Sequence, residues 1–299
     1  MLDRPEWSSH GADWPHRELS TFVEAGSLRW HVQRGGAGPE LLLLHGTGAS
    51  SHSWAGLLPL LAESFTVTAP DLPGHGFTSS PGSAGGLAPR GVVASLEALL
   101  QRLSIRPALI VGHSVGAALA AHLALDRRVE PAGLVGITPS LVPPSGFVTD
   151  IASELLGPAF RSALMARLLA SRMREGTLLR AMLKSTGSAV PPHSIQLYQR
   201  LLGFPGVLSS VLTLVSQWEP GELARRLPSL ETPFLLMAGV EDRWIPLSSV
   251  RSVASTIPSA RLVEVPGVGH VAHEEEPERV ALLIRRFAEE LGILRPEPR

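Results

Sequence analysis

The sequence predicts an α/β protein with a mostly parallel central sheet flanked by helices and a helical block inserted near its middle. Three observations carry this. Short apolar runs alternate with helical segments from residue 27 to 137, the order that a parallel sheet with crossover helices requires. The alternation stops from about 139 to 230, where helical periodicity continues without strand-like runs, and resumes at 234. The residues able to do chemistry fall just past the ends of the apolar runs, the edge at which open parallel sheets bind ligands.

In chain order, the first twenty residues are polar, with Trp7, Trp14 and Pro15, and read as an arm lying over the surface. Ser27 to Arg34 alternates weakly before Gly35-Gly36-Ala37-Gly38-Pro39, a strand and then a turn. Leu41 to Leu44 is a continuous apolar run ending in His45-Gly46-Thr47-Gly48, and Phe65 to Ala69 repeats the pattern, ending in Asp71-Leu72-Pro73-Gly74-His75-Gly76. Both read as buried parallel strands feeding loops. Helices are expected around Trp54 to Ala62 and Val92 to Leu103. Ala108 to Val111 is the next strand, an alanine-rich helix follows, and Gly133 to Ile137 is a further strand. Beyond it, Pro143-Pro144, Gly176, Pro191-Pro192, Pro205 and Pro220-Gly221 cut the helical stretch into pieces. Strands return at Phe234 to Ala238 and Arg261 to Val265, and an amphipathic helix runs from Pro277 to Leu291. The division read from this is an arm at 1–21, a core at 22–138 and 231–299, and a helical cap at 139–230.

Composition narrows the function. With 26 basic and 27 acidic residues and a net charge of −1, the chain lacks the basic surface that a phosphate backbone demands, so nucleic acid is not an expected partner. The absence of cysteine removes disulfides, thiolate metal sites and a cysteine nucleophile together, and covalent chemistry must use oxygen or nitrogen. No His-Glu-x-x-His and no carboxylate-rich calcium loop is present, so neither metal nor cofactor is expected. Gly82 to Gly86 lacks the Lys-Ser or Lys-Thr ending of a phosphate cradle. The stretch Met1 to His10 has no apolar core of a signal peptide, so export is not expected and the cytoplasm is the expected compartment.

The most informative segment is Gly112-His113-Ser114-Val115-Gly116, between an apolar run and an alanine-rich stretch. A serine between two glycines at a strand-to-helix turn can be held strained, with its hydroxyl exposed and the following amide free to bind an oxyanion. Residues 107–125 carry no Asp, Glu, Lys or Arg, and Gly112 with Gly116 also matches the small-residue pattern of packed membrane helices. Against that stand Pro107, the β-branched pair Ile110-Val111, and His113, Ser114 and His122, which sit badly in lipid.

Serine needs a base, and the base an orienting acid. Asp242 follows the strand Phe234 to Ala238, and His270 follows the strand Arg261 to Val265. The order Ser114, Asp242, His270 is that of the hydrolase triad on this kind of sheet. Glu241 is the competing acid and His273 the competing base; Gly267 and Gly269 favour His270, because they allow a loop that lets the imidazole reach back. The N–H groups of Val115 and Thr47 are the candidate oxyanion donors, with Gly46, Gly112 and Gly116 as the loop and elbow glycines. The alternative for residues 45–48 is a plain tight turn. His75 reads as loop-shaping and His113 as packing beneath the elbow, while His31, His122 and His193 show no partner pattern.

On these motifs the chain resembles an α/β-hydrolase with a helical cap over residues 22–292. His45-Gly46-Thr47-Gly48, Asp71 to Gly76, Gly112 to Gly116 and Gly269-His270 carry the resemblance. It is more closely similar to the magnesium-chelatase accessory proteins of bacteriochlorophyll biosynthesis in photosynthetic bacteria, on Asp13-Trp14-Pro15-His16-Arg17-Glu18, Leu28 to Arg34 and Leu41 to Trp54. The resemblance implies a role in tetrapyrrole biosynthesis near magnesium insertion, with a tetrapyrrole or its ester as small-molecule substrate and magnesium chelatase as an associated partner. The serine argues against relatives that use an aspartate nucleophile. Two readings follow: a serine hydrolase, or a binding and accessory module with a retained triad. Residues 139–230 hold nine Lys or Arg and five Asp or Glu, a local balance of +4. That basic, leucine-rich stretch is either a solvated outer face or a surface for anionic lipid at the inner membrane, tetrapyrrole propionates or a partner subunit.

Overall fold

The computed structural model describes residues 2–141, 162–218 and 220–295. Eight strands form one sheet: β1 (Ser20–Ala25), β2 (Leu28–Gly35), β3 (Glu40–Leu44), β4 (Thr66–Pro70), β5 (Leu109–His113), β6 (Gly133–Ile137), β7 (Phe234–Gly239) and β8 (Ala260–Val265). Their order is β1-β2-β4-β3-β5-β6-β7-β8. β2 runs antiparallel to both β1 and β4, and every pairing from β4 to β8 is parallel.

The apolar runs are continuous because both faces of the central strands are covered. Leu42, Leu44, Ile110, Leu134 and Leu236 point to one face and join a core with α3 (Pro89–Leu103) and α4 (Val115–Leu125). Their neighbours Leu41, Leu43, Leu109, Val111, Val135 and Leu235 point to the other, against α2 (Leu57–Ala62) and α12 (Pro277–Glu290). Residues 107–125 are thus a buried strand and a core helix. Among the described residues no helix is long and apolar enough to cross a membrane.

Between β6 and β7 the described chain is helical: α5 (Ala163–Glu175), α6 (Thr177–Ser185), α7 (Pro192–Leu202), α8 (Pro205–Ser216) and α9 (Pro220–Arg226). Residues 142–161 of the expected cap, with the Pro143-Pro144 break, lie outside the described residues. α5 to α8 form a further apolar cluster with Ala49 of the loop after β3, with Ala170, Leu179, Leu202 and Leu208 inside it. α10 (Leu247–Ala254) and the short α11 (Ala272–Glu275) follow β7 and β8.

The N-terminal residues pack onto the rest of the chain through a few anchors. After α1 (Trp7–His10), Trp14 is buried with Phe77, Leu197 and Leu201. Arg200 grips both carboxylate oxygens of Asp13 at 2.6 and 2.7 Å, and Arg4 donates to the carbonyls of Thr78 and Gly206. The segment therefore ties α7 and α8 to the loops past β4. Trp14, with Trp7 packed beside it, supplies the apolar surface that anchors an otherwise polar segment.

Asp71, just past β4, is a buried hub that the sequence reading did not single out. Its Oδ1 accepts from the N–H of Ser51 at 2.7 Å, and its Oδ2 accepts from the N–H of Phe77 and from Nδ1 of His31, each at 2.9 Å. Burial alone raises this carboxyl; His31, His45 and the Phe77 amide outweigh it and hold the group below the ordinary carboxylate range. Asp71→Asn is expected to cost about 3 kcal/mol, since buried donors then lose their acceptor. A lowered urea midpoint would show it, and an unchanged one would remove Asp71 from this role.

Candidate active site

The elbow follows from steric constraints at three alternate positions, 112, 114 and 116. Ser114 sits between β5 and α4 with φ 50° and ψ −115°, a conformation that costs a non-glycine residue free energy and that surrounding structure must enforce. A Cβ on Gly112 would lie 2.3 Å from the backbone nitrogen of Ala117, and one on Gly116 would lie 2.0 Å from the carbonyl oxygen of Leu44. Only glycine allows the strand, the turn and the β3 loop to pack this closely. The N–H of Ser114 donates to the carbonyl of Ile137 at 3.0 Å, fixing the turn against β6.

The β3 loop runs beside the serine: a Cβ on Gly46 would meet Nδ1 of His113 at 2.6 Å and Cβ of Ser114 at 3.3 Å. His45 sets this loop. Its Nε2 accepts from the N–H of Leu72 at 2.8 Å, so Nδ1 carries the proton and donates to the carbonyl of Gly46 at 2.8 Å. Among the described residues, neither the N–H of Thr47 nor that of Val115 meets an acceptor. Val115 opens α4, where amides are unpaired and the helix dipole is positive.

The structure brings Asp242 and His270 together. Nδ1 of His270 donates to Oδ2 of Asp242 at 2.8 Å, and both side chains are buried. Oδ1 of Asp242 accepts from the amides of Trp244 and Ile245 at 2.8 and 2.9 Å, which fixes the carboxylate plane. With Nδ1 bonded to the acid, Nε2 is the nitrogen left to take a proton. Glu241 is exposed, and among the described residues the carboxylate bonded to the imidazole is that of Asp242. His273 lies in α11, buried between Trp54 and His113, and both ring nitrogens lack a partner among the described residues.

Ser114 lies at the same edge and is 9 % exposed. The preceding residue, His113, donates from Nε2 to the carbonyl of His270 at 2.9 Å, and Thr138 Oγ1 donates to that carbonyl at 2.6 Å. Burial, with His273 and His270 nearby, pushes His113 well below the ordinary histidine range, so it acts here as a neutral donor. Oγ of Ser114 and Nε2 of His270 are not hydrogen-bonded to each other among the described contacts. Such bonds tighten when an acyl substrate is engaged.

Glu274, in α11, also escaped the sequence reading. Its Oε1 accepts from the Tyr198 hydroxyl at 2.7 Å, joining α11 to α7. Burial raises its carboxyl from 4.5 to about 7, with hydrogen bonds from Tyr198 and Ser194 pulling the other way. The folded chain therefore binds this proton more tightly than the unfolded chain. The stability it adds is fully present below pH 4.5 and is lost as pH rises to about 7, up to about 3 kcal/mol in all. Glu274→Gln keeps the shape and stays neutral, so denaturant melts at pH 5 and pH 8 should show a smaller decline than in wild type. An equal decline in both proteins would contradict the assignment.

Comparison with known proteins agrees with this architecture. The chain is 35% identical over 285 residues to the magnesium-chelatase 30 kDa subunit of Rhodobacter capsulatus, covering 93% of this chain and 97% of that protein. It is 30% identical over 264 residues to a pimeloyl-[acyl-carrier protein] methyl ester esterase of Xanthomonas oryzae pv. oryzae, covering 86% and 98%. A thermophilic esterase from Thermogutta terrifontis superposes with a TM-score of 0.70 at 23% identity, covering 91% of this chain and 98% of that one. Residues 41–282, from β3 into α12, match the alpha/beta hydrolase family as a whole, and the chain belongs to that family.

Proposed function

We propose that the protein is a serine hydrolase that cleaves an ester or related acyl bond, with Ser114 as nucleophile, His270 as base and Asp242 as orienting acid. The observation that carries this reading is a serine strained at φ 50° on the same edge as a histidine whose Nδ1 is held 2.8 Å from a buried aspartate. Oγ of Ser114 attacks the acyl carbon while Nε2 of His270 takes its proton. The carbonyl π electrons move onto oxygen, and the amides of Thr47 and Val115 receive that charge, each contributing about 3 kcal/mol. Collapse breaks the bond to the leaving alcohol, which takes the proton from His270. Water then attacks the acyl-serine, gives its proton to His270, and the acid departs as Oγ is reprotonated. Asp242 stays ionised and stabilises the imidazolium.

The relative named as a magnesium-chelatase subunit supports a tetrapyrrole setting, and the methyl ester esterases support the bond type. A porphyrin carrying a methyl-esterified propionate combines the two. Chromatography of that ester after incubation should show free acid with wild type and none with Ser114→Ala. Binding of the porphyrin without cleavage would overturn turnover of this ester and favour the accessory reading, to which the same chelatase name lends support.

The basic helical insert supports a peripheral membrane contact as part of this reading. Leu164 and Leu168 lie one turn apart on α5 and are 67% and 56% exposed, with Arg167 and Arg172 exposed on the same helix. Vesicles containing phosphatidylglycerol should carry the protein upward in a flotation gradient at low salt, and Leu164→Glu with Leu168→Glu should abolish this. Absence of wild-type flotation at low salt would overturn the contact.

A further inference from the structure

Residues 185–189, at the junction of α6 and α7, belong to the helical insert, yet they touch both loops that carry the acid and the base. On the acid side, the N–H of Arg243 donates to the carbonyl of Thr186 at 3.2 Å, and Nε1 of Trp244 donates to Oγ of Ser185 at 3.0 Å. The backbone of Gly187 lies so near the carbonyl of Glu241 that a Cβ there would stand 2.0 Å from its oxygen. On the base side, the N–H of Val271 donates to Oγ of Ser188 at 3.0 Å. Glu275 completes the second contact: its Oε1 accepts from the N–H of Gly269 and its Oε2 from the N–H of Ala189, both at 2.9 Å.

We infer that residues 185–189 are a positioning strap, through which the helical insert holds the Asp242 and His270 loops in mutual register. The inference rests on the serine-hydrolase reading of the site, but its geometry is independent of turnover. His270 lies between two anchored amides, Gly269 before it and Val271 after it, and the second anchor is a side chain of the insert. Ser188 is itself held, since its N–H donates to Oγ1 of Thr186, and that hydroxyl donates to the carbonyl of Leu183 in α6. A continuous chain of hydrogen bonds thus runs from α6 through Thr186 and Ser188 to Val271 and the base. Val271 is buried, so without the Ser188 hydroxyl its N–H loses its partner away from solvent and the backbone beside His270 must shift to find another. The strap touches neither the reacting serine nor an acyl group, and acts only through the two loops.

The test compares Ser188→Ala and Ser188→Thr with wild type in the full chain. Histidine 15N spectra, with the His270 signals assigned from His270→Ala, should show displaced ring resonances and a moved titration midpoint for Ser188→Ala and wild-type values for Ser188→Thr. With a fluorophosphonate probe, the maximal inactivation rate should fall roughly tenfold or more in Ser188→Ala while the half-saturating probe concentration holds, the mark of a displaced catalytic group. His270 resonances and titration unchanged in Ser188→Ala would overturn the strap, as would failure of the threonine variant to restore them. Failure of wild type to react with the probe would count against the hydrolase reading alone, since the spectra decide the strap in either case.

Discussion

Replacing His270 with alanine is expected to lower reactivity of Ser114 toward acyl and phosphonyl probes by roughly 10⁴ to 10⁶-fold, the scale seen when a triad loses its base. The geometry explains why no neighbour substitutes. His113 lies with its ring centroid 5.0 Å from that of His270, but its Nε2 is committed to the His270 carbonyl and its Nδ1 faces Gly46. His273 has no carboxylate partner among the described residues. The fold should survive, because Oδ1 of Asp242 keeps its two amide donors, and loss of one charge-assisted bond costs about 1 to 3 kcal/mol. Rates of probe labelling beside thermal melts check both halves. A loss of less than tenfold would mean that His270 is not the base.

Gly116→Ala should be the most damaging single methyl group in the elbow. Helix propensity argues the other way, since alanine in a helix is favoured over glycine by about 1 kcal/mol. Sterics decide it: the added Cβ would stand 2.0 Å from the carbonyl oxygen of Leu44 and 2.8 Å from that of His45. These are backbone atoms of β3 and its loop, so no side chain can swing aside. The expected cost is about 3 kcal/mol or more, with a further loss of labelling because the Thr47 loop moves with them. A denaturant midpoint equal to or above that of wild type would show that the elbow is looser than described.

The two glycine contacts also explain why the elbow of the candidate site was legible in the sequence. Gly112 and Gly116 are demanded by close approach of backbone, and a demand of that kind leaves only one residue type. Leu41 to Leu44 was legible because burial on both faces leaves no polar alternation. β1 was not: Ser20–Ala25 is a half-exposed edge strand in which burial follows no clear period. The expected helix at Trp54 to Ala62 is a 3-10 turn at Ser51–Trp54 followed by α2, because the turn is pinned by the bond from Ser51 N–H to Asp71, twenty residues on. Contacts between distant segments leave little local trace. The Asp71 hub, the Tyr198 to Glu274 bond and the strap at 185–189 all join such segments, and each escaped a reading based on spacing.

The most direct test of the central claim is intact-mass analysis after exposure to a fluorophosphonate, with peptide mapping of the adduct. One phosphonyl group is expected on Ser114 of wild type and none on Ser114→Ala or His270→Ala at the same exposure. Wild-type protein that is folded by circular dichroism and remains unlabelled, or an adduct that persists in His270→Ala, would contradict an activated serine at this elbow.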